Sequence, residues 1–139
     1  MKLRILVADD HEVVRRGLCT LLQSHEGWEI CGEATDGREA VDKAKQLKPD
    51  VVILDLMMPE MDGWKVCAEV RKFSNVPILI FSALDNPGMV ASALDNGADD
   101  YIVKPVSSGV LVARLNKLTR RSEINPKPQV QPHAAATPA

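Results

Sequence analysis

The chain of 139 residues is poor in aromatics, at 4%, and its three cysteines, Cys19, Cys31 and Cys67, form no C-x-x-C pair. An odd number of widely spaced cysteines supports neither a disulfide framework nor a zinc site, so all three read as small buried apolar residues. No apolar run approaches the roughly 18 residues of a membrane span. Met1-Lys2 leads directly into a strand-like run without a signal-peptide cleavage pattern, which makes the cytoplasm the expected location. An excess of one charge is missing too. With 17 basic and 19 acidic residues the net charge is -2, and nothing general attracts the chain to nucleic acid. What is present, 45% hydrophobic and 26% charged residues, is ordinary for one soluble globular domain large enough to bury its own core.

Strand-like and helix-like patterns alternate five times, with short loops between them. The apolar run Leu3-Arg-Ile-Leu-Val-Ala8 is followed by Val13, Val14, Gly17, Leu18, Leu21 and Leu22 at helical spacing, up to about Ser24. Trp28–Ala34 alternates as a sheet-edge strand would, and Asp36-Gly37 makes a turn. Ala40, Val41, Ala44 and Leu47 mark a second helix, stopped before Pro49. The run Val51-Val-Ile-Leu54 is a buried strand ending at Asp55, and Val66, Cys67 and Val70 give a third helix starting near Asp62-Gly63. After Pro77-Ile-Leu-Ile-Phe81, Val90, Ala93 and Leu94 give a short fourth helix capped by Gly97, and Leu111, Leu115 and Leu118 define a fifth beyond Tyr101-Ile-Val103. These units predict an α/β fold, a single doubly wound (βα)5 domain whose parallel five-stranded sheet has the flavodoxin-like order 2-1-3-4-5. Residues 1–121 form that domain. Four of the nine prolines fall in residues 122–139, which read as a Pro/Ala-rich flexible tail or linker.

Polar residues punctuate four of the strand ends: Asp9-Asp10, Asp55, Ser82 and Lys104. Ligands of open α/β sheets bind outside these carboxyl ends, and the predicted strand order makes Asp9, Asp10 and Asp55 neighbours. Three crowded carboxylates hold their charges only with a cation present. Mg2+ takes hard oxygen ligands and is often held by one or two carboxylates plus a phosphate oxygen. Asp55 suits a nucleophile that forms an aspartyl phosphate, with Lys104 and Ser82 reaching phosphoryl oxygens. Each residue also has a plain reading. An Asp-Asp pair can cap a helix, a lysine before proline can be solvated, Ser82 can end a strand, and Tyr101 can be a half-buried strand aromatic. His11, beside the acid pair, reads as an exposed first-turn residue, because hard Mg2+ disfavours imidazole.

Val7-Ala-Asp-Asp-His11, Asp50–Gly63 around Asp55, Pro77-Ile-Leu-Ile-Phe-Ser-Ala83 and Gly97-Ala-Asp-Asp-Tyr-Ile-Val-Lys-Pro105 together resemble the receiver domain of bacterial two-component response regulators, the CheY-like family. The resemblance covers roughly residues 2–121. It implies that Asp55 accepts a phosphoryl group from a sensor histidine kinase or phosphotransfer protein. It also implies Mg2+ held by Asp9, Asp10, Asp55 and the Met57 backbone carbonyl, assistance from Ser82 and Lys104, and slow self-dephosphorylation. Ser82 and Tyr101 would be the switch pair that remodels the face of the fourth helix, fifth strand and fifth helix for a partner or a homodimer. Arg114, Arg120, Arg121, Asp99 and Asp100 are candidates to pair across such a dimer. Met57 and Leu84, two residues beyond Asp55 and Ser82, are apolar and are expected to hinder an attacking water. The alternatives are a phosphorylation-independent pseudo-receiver that only binds a partner, and a haloacid-dehalogenase-like phosphohydrolase. Against the latter, Asp55-Leu56-Met57 lacks the second acid of a D-x-D nucleophile motif and no cap domain is available.

Overall fold

The computed structural model describes residues 2–124. Strands β1 (Leu3–Ala8), β2 (Trp28–Ala34), β3 (Val51–Leu54), β4 (Ile78–Ser82) and β5 (Asp100–Val103) alternate with helices α1 (Glu12–Gln23), α2 (Gly37–Leu47), α3 (Gly63–Val70), α4 (Pro87–Asp95) and α5 (Ser108–Ile124). All four pairings are parallel, in the order β2-β1-β3-β4-β5 predicted from the sequence.

The continuous apolar runs of the inner strands follow from burial on both faces of the sheet. Ile5, Val7, Val51 and Ile53 pack with Leu18 and Leu22 of α1 and Leu111, Leu115 and Leu118 of α5. Their alternates Leu6, Ala8, Val52 and Leu54 pack on the opposite face with α2, α3 and Ala93 of α4. The starts of α2, α3 and α4 are set by side-chain caps. Asp36 accepts the Glu39 N–H, Asp62 the Lys65 N–H, and Asn86 the Gly88 and Met89 N–H groups, with Pro87 in the first turn of α4. The glycine expected to end α4 lies just past the cap residue Asn96. Gly97, at φ +115°, donates to the Leu94 carbonyl and Ala98 to that of Ala93, both at 3.1 Å, a paired closure that uses two otherwise orphaned carbonyls.

Several expectations need correction. Helix α1 buries Arg15, Leu18, Cys19 and Leu22, whereas Val13 is 85% exposed and Val14 38%. The buried row keeps helical spacing, but its first member is a cation whose polar head finds partners inside. Cys19 and Cys67 are buried, and burial pushes their thiols up to about 11 and about 12. Cys31 is only half-buried, because β2 is an edge strand. Helix α5 continues to Ile124, past the boundary expected at residue 121, and residues 125–139 of the expected tail lie outside the described residues. Three of the charges proposed to pair across a dimer, Arg114, Asp99 and Asp100, are engaged within the chain. Arg114 grips both Asp100 oxygens at 2.9 and 2.8 Å, and Arg71 pairs with Asp99 at 2.8 Å. The side chains of Arg120 and Arg121 lie outside the description. Among the described residues no helix is long and apolar enough to cross a membrane.

Candidate functional site

Asp9 follows β1, Asp55 follows β3, Ser82 ends β4 and Lys104 follows β5, so the predicted residues share one rim of the sheet. The register Ala8↔Leu54 puts the two acids side by side, and the Asp55 N–H donates to the Ala8 carbonyl at 3.0 Å. Lys104 is tied to the neighbouring strand by its N–H to the Ser82 carbonyl, at 2.8 Å. Its ammonium passes 5.2 Å from the centre of the Phe81 ring and reaches Asp9 Oδ2 at 2.9 Å and Asp55 Oδ2 at 3.7 Å.

Asp9 and Asp55 are buried, at 2% and 5% exposure, while Asp10 lies at the mouth. One ligand atom from each of Asp9, Asp10, His11 and Asp55 falls within 4.8 Å of the others. Three carboxylates and one ammonium leave two negative charges unbalanced in a partly desolvated spot. Such a set of hard oxygen donors fits a divalent cation such as Mg2+. Burial raises the Asp55 carboxyl above the usual carboxylate range; Lys104 and the Met57 N–H oppose the rise, and the charge of Asp9 adds to it.

The loop after β3 holds Asp55 in place. The Met57 N–H donates to Asp55 Oδ1 at 3.3 Å, while the Met57 side chain stands 55% exposed and Met58 and Met61 are buried beneath the loop. The start of α2 presses on the same loop. The Gly37 N–H donates to the Pro59 carbonyl at 3.2 Å, and a Cβ at Gly37 would lie 1.8 Å from the Met61 carbonyl oxygen. At the β4 end, a single residue links the two switch candidates. Leu84 donates its N–H to Ser82 Oγ at 3.3 Å, and its carbonyl accepts the Tyr101 hydroxyl at 2.7 Å. Tyr101 is half-buried, and burial raises its hydroxyl pKa.

The side chains of Asp9, Asp10, Asp55, Ser82 and Lys104 thus meet at this rim, Tyr101 is tied to it through Leu84, and the side chain of Met57 turns to solvent. His11 comes closer to the acids than expected, since its N–H donates to Asp9 Oδ1 at 2.8 Å and its Nδ1 lies 3.4 and 3.3 Å from Asp9 and Asp10. Arg15 was missed entirely. Its Nη1 donates to the Asp9 carbonyl at 2.9 Å and its Nε to Glu33 at 2.8 Å. The signal was an arginine in register with Leu18, Cys19 and Leu22 on one helix row.

Comparison with known proteins agrees with this fold. The family model "Response regulator receiver domain" matches residues 5–116. The chain is 42% identical over 118 residues to the chemotaxis protein CheY of Thermotoga maritima, covering 84% of this chain and 98% of that protein. It is 47% identical over 120 residues to the probable transcriptional regulator ycf27 of Porphyridium aerugineum, covering 86% of this chain but only about half, 49%, of that longer protein. Among solved structures, the response regulator domain of Thermotoga maritima CheB matches with a TM-score of 0.81 at 31% identity, over 86% of this chain and 98% of that one. The CheX-CheY-BeF3-Mg+2 complex from Borrelia burgdorferi matches with a TM-score of 0.78 at 33% identity, over 83% and 87%. A buried acid pair on adjacent strands, a lysine reaching both and a match over most of the chain lead to one conclusion: the chain belongs to the receiver domains of two-component response regulators.

Proposed function

We propose that this domain is a phosphorylation switch in which Asp55 accepts a phosphoryl group from the phosphohistidine of a sensor histidine kinase or phosphotransfer protein. An Asp55 carboxylate oxygen attacks phosphorus as the P–N bond breaks. The bonding electron pair leaves with the imidazole nitrogen of the donor, and an acyl phosphate is formed on Asp55. The observation that carries this reading is the reach of one ammonium, Lys104, to both Asp9 at 2.9 Å and Asp55 at 3.7 Å in a site that still has excess negative charge.

Asp9, Asp10, Asp55 and the Met57 backbone carbonyl would hold Mg2+. When bound, the ion neutralises the acids and shields the charge on the incoming phosphoryl oxygens. The chain's own residues supply position. Lys104 is held between two carboxylates from which it can turn to a phosphoryl oxygen, and Ser82 brings a buried hydroxyl to the same rim. If Ser82 turns toward the phosphoryl group, its contact with the Leu84 N–H is disturbed, and that residue's carbonyl holds Tyr101. A local charge event then biases the face of α4, β5 and α5. Met89, Leu94, Val103 and Val110 expose apolar surface on those elements, and a protein partner or a second copy would cover it. The domain acts as a regulator in the cytoplasm, with at most slow self-dephosphorylation and no direct contact with nucleic acid.

Intact mass after incubation with acetyl phosphate and Mg2+ tests this reading. A phosphoryl adduct is expected in the wild-type chain and absent both from Asp55→Asn and from wild type in chelator. No adduct in folded wild type would overturn the switch and leave a binding module that works without phosphorylation.

A further inference from the structure

Among the described residues the buried charged side chains are Asp9, Asp55 and Arg15. Two of them have places in the chemistry above, and the third does not. Burying a guanidinium is costly unless it is paired and hydrogen-bonded. Arg15 has two partners: Glu33 on the edge strand β2, at 2.8 Å, and the backbone carbonyl of Asp9, at 2.9 Å.

That carbonyl belongs to the peptide unit joining Asp9 to Asp10. The unit is planar, so holding its C=O also sets the nitrogen and Cα of Asp10, and with them the direction in which the Asp10 carboxylate leaves the chain. The rest of Asp9 is already restrained. Its N–H donates to the Ala34 carbonyl at 3.0 Å, its Oδ1 accepts the His11 N–H, and its Oδ2 accepts from Lys104. Asp10 is exposed, its carboxylate lies 3.3 Å from His11 Nδ1, and its backbone direction is set by the peptide before it.

We propose that Arg15 is a positioning residue for the acid pair: by clamping the Asp9 carbonyl against Glu33 of β2, it holds Asp9 and Asp10 in the geometry that a divalent cation requires. It touches neither the cation nor the phosphoryl group. The role needs an arginine, because the planar guanidinium fork directs two N–H groups to two fixed partners at once, whereas a lysine offers one ammonium on a flexible stem. The inference rests on the metal-dependent reading given above.

Simple electrostatics predicts the opposite sign. A cation behind three carboxylates should weaken binding of another cation, so deleting it should tighten Mg2+. Positioning predicts loss, since residues that orient metal ligands typically contribute about 10–100-fold in affinity.

The test is calorimetric titration of the full chain with Mg2+, paired with the Mg2+ dependence of phosphoryl uptake from acetyl phosphate. Arg15→Met is expected to weaken Mg2+ binding by about tenfold or more, and Arg15→Lys to weaken it comparably despite keeping the charge. Glu33→Gln retains an acceptor for Nε and is expected to stay near wild type. Uptake by the Arg15 variants should need more Mg2+ for half-saturation yet reach the wild-type rate when saturated. A purely structural role would lower Tm and leave the half-saturating Mg2+ unchanged. If Arg15→Met does not fold, Arg15→Lys carries the test. Unchanged or tighter Mg2+ binding in a folded Arg15 variant overturns the inference. Wild type that binds no Mg2+ overturns the metal-dependent reading itself, a result distinct from wild type and variants binding equally.

Discussion

Asp55→Asn is expected to stabilise the metal-free protein, although it removes the partner of a lysine. At an effective dielectric constant of about 20, Lys104 at 3.7 Å attracts Asp55 by about 4.5 kcal/mol. Asp9, within 4.8 Å, repels it by about 3.5 kcal/mol on the same scale, and the more exposed Asp10 adds about 1 kcal/mol when screened as in water. Attraction and repulsion nearly cancel. What remains is the desolvation of a carboxylate that is 5% exposed, offset in part by a long 3.3 Å bond from the Met57 N–H. A net gain of about 2 kcal/mol is expected, or a Tm rise of roughly 8 °C for a domain of this size. The assay is thermal unfolding by circular dichroism at neutral pH in chelator, then with Mg2+. Saturating Mg2+ at a hundred times its Kd would add about 2.7 kcal/mol to wild type and should close or reverse the gap. The pH dependence has a defined sign. Burial raises the Asp55 pKa in the folded chain, so between the unfolded and folded values the folded state binds the proton more readily and stability falls as pH rises. The advantage of Asn should therefore be complete above the raised pKa and vanish as pH falls through that window. A metal-free Asp55→Asn protein that melts at or below wild type would refute the reasoning.

Three further outcomes follow from packing and hydrogen bonding. Gly37→Ala should cost about 3 kcal/mol in urea unfolding, because the added Cβ meets the Met61 carbonyl oxygen at 1.8 Å and backbone must move. Arg71→Met removes donors to the carbonyls of Gly97, Ser74 and Val76 and to the Asp99 carboxylate; a loss of about 2–3 kcal/mol is expected from the same measurement. Met57→Ala should shorten the lifetime of the phosphorylated domain, and a bulkier Met57→Trp should lengthen it, as followed by intact mass over time; decay unaffected by either change would remove this exposed side chain from any role in excluding water.

Fold and rim were legible for a shared reason. Inner strands covered on both faces read as unbroken apolar runs, so the polar residues that end them, Asp9, Asp55 and Ser82, stand out. Connection handedness then restricts the strand order, which brings Asp9 and Asp55 together. The rotation of α1 was not legible, because hydropathy ranks Val13 and Val14 above Arg15. The guanidinium is nevertheless inside, held by a carbonyl and a carboxylate that adjoin only after β1 and β2 pair. Ligand preference argues against His11, yet its backbone N–H serves Asp9, a contact that does not depend on the side chain. Nor does strand alternation reveal where Tyr101 points, since its hydroxyl partner is a loop carbonyl. The intrachain pair Arg114–Asp100 required knowing how α5 lies over the start of β5.

The bond between Lys104 and Asp9 joins residues 95 positions apart, from an edge strand to a strand at the start of the chain. Contacts of such separation carry a large loop-closure cost and are slow to form. During synthesis the acid pair and Asp55 emerge well before their ammonium counter-charge, and until β5 docks, the cluster is an assembly of like charges with no lysine to balance it. If Asp55 is the phosphoacceptor proposed above, competence to take up a phosphoryl group is acquired late in folding, and its onset would time the closing of the sheet more directly than the appearance of helical signal.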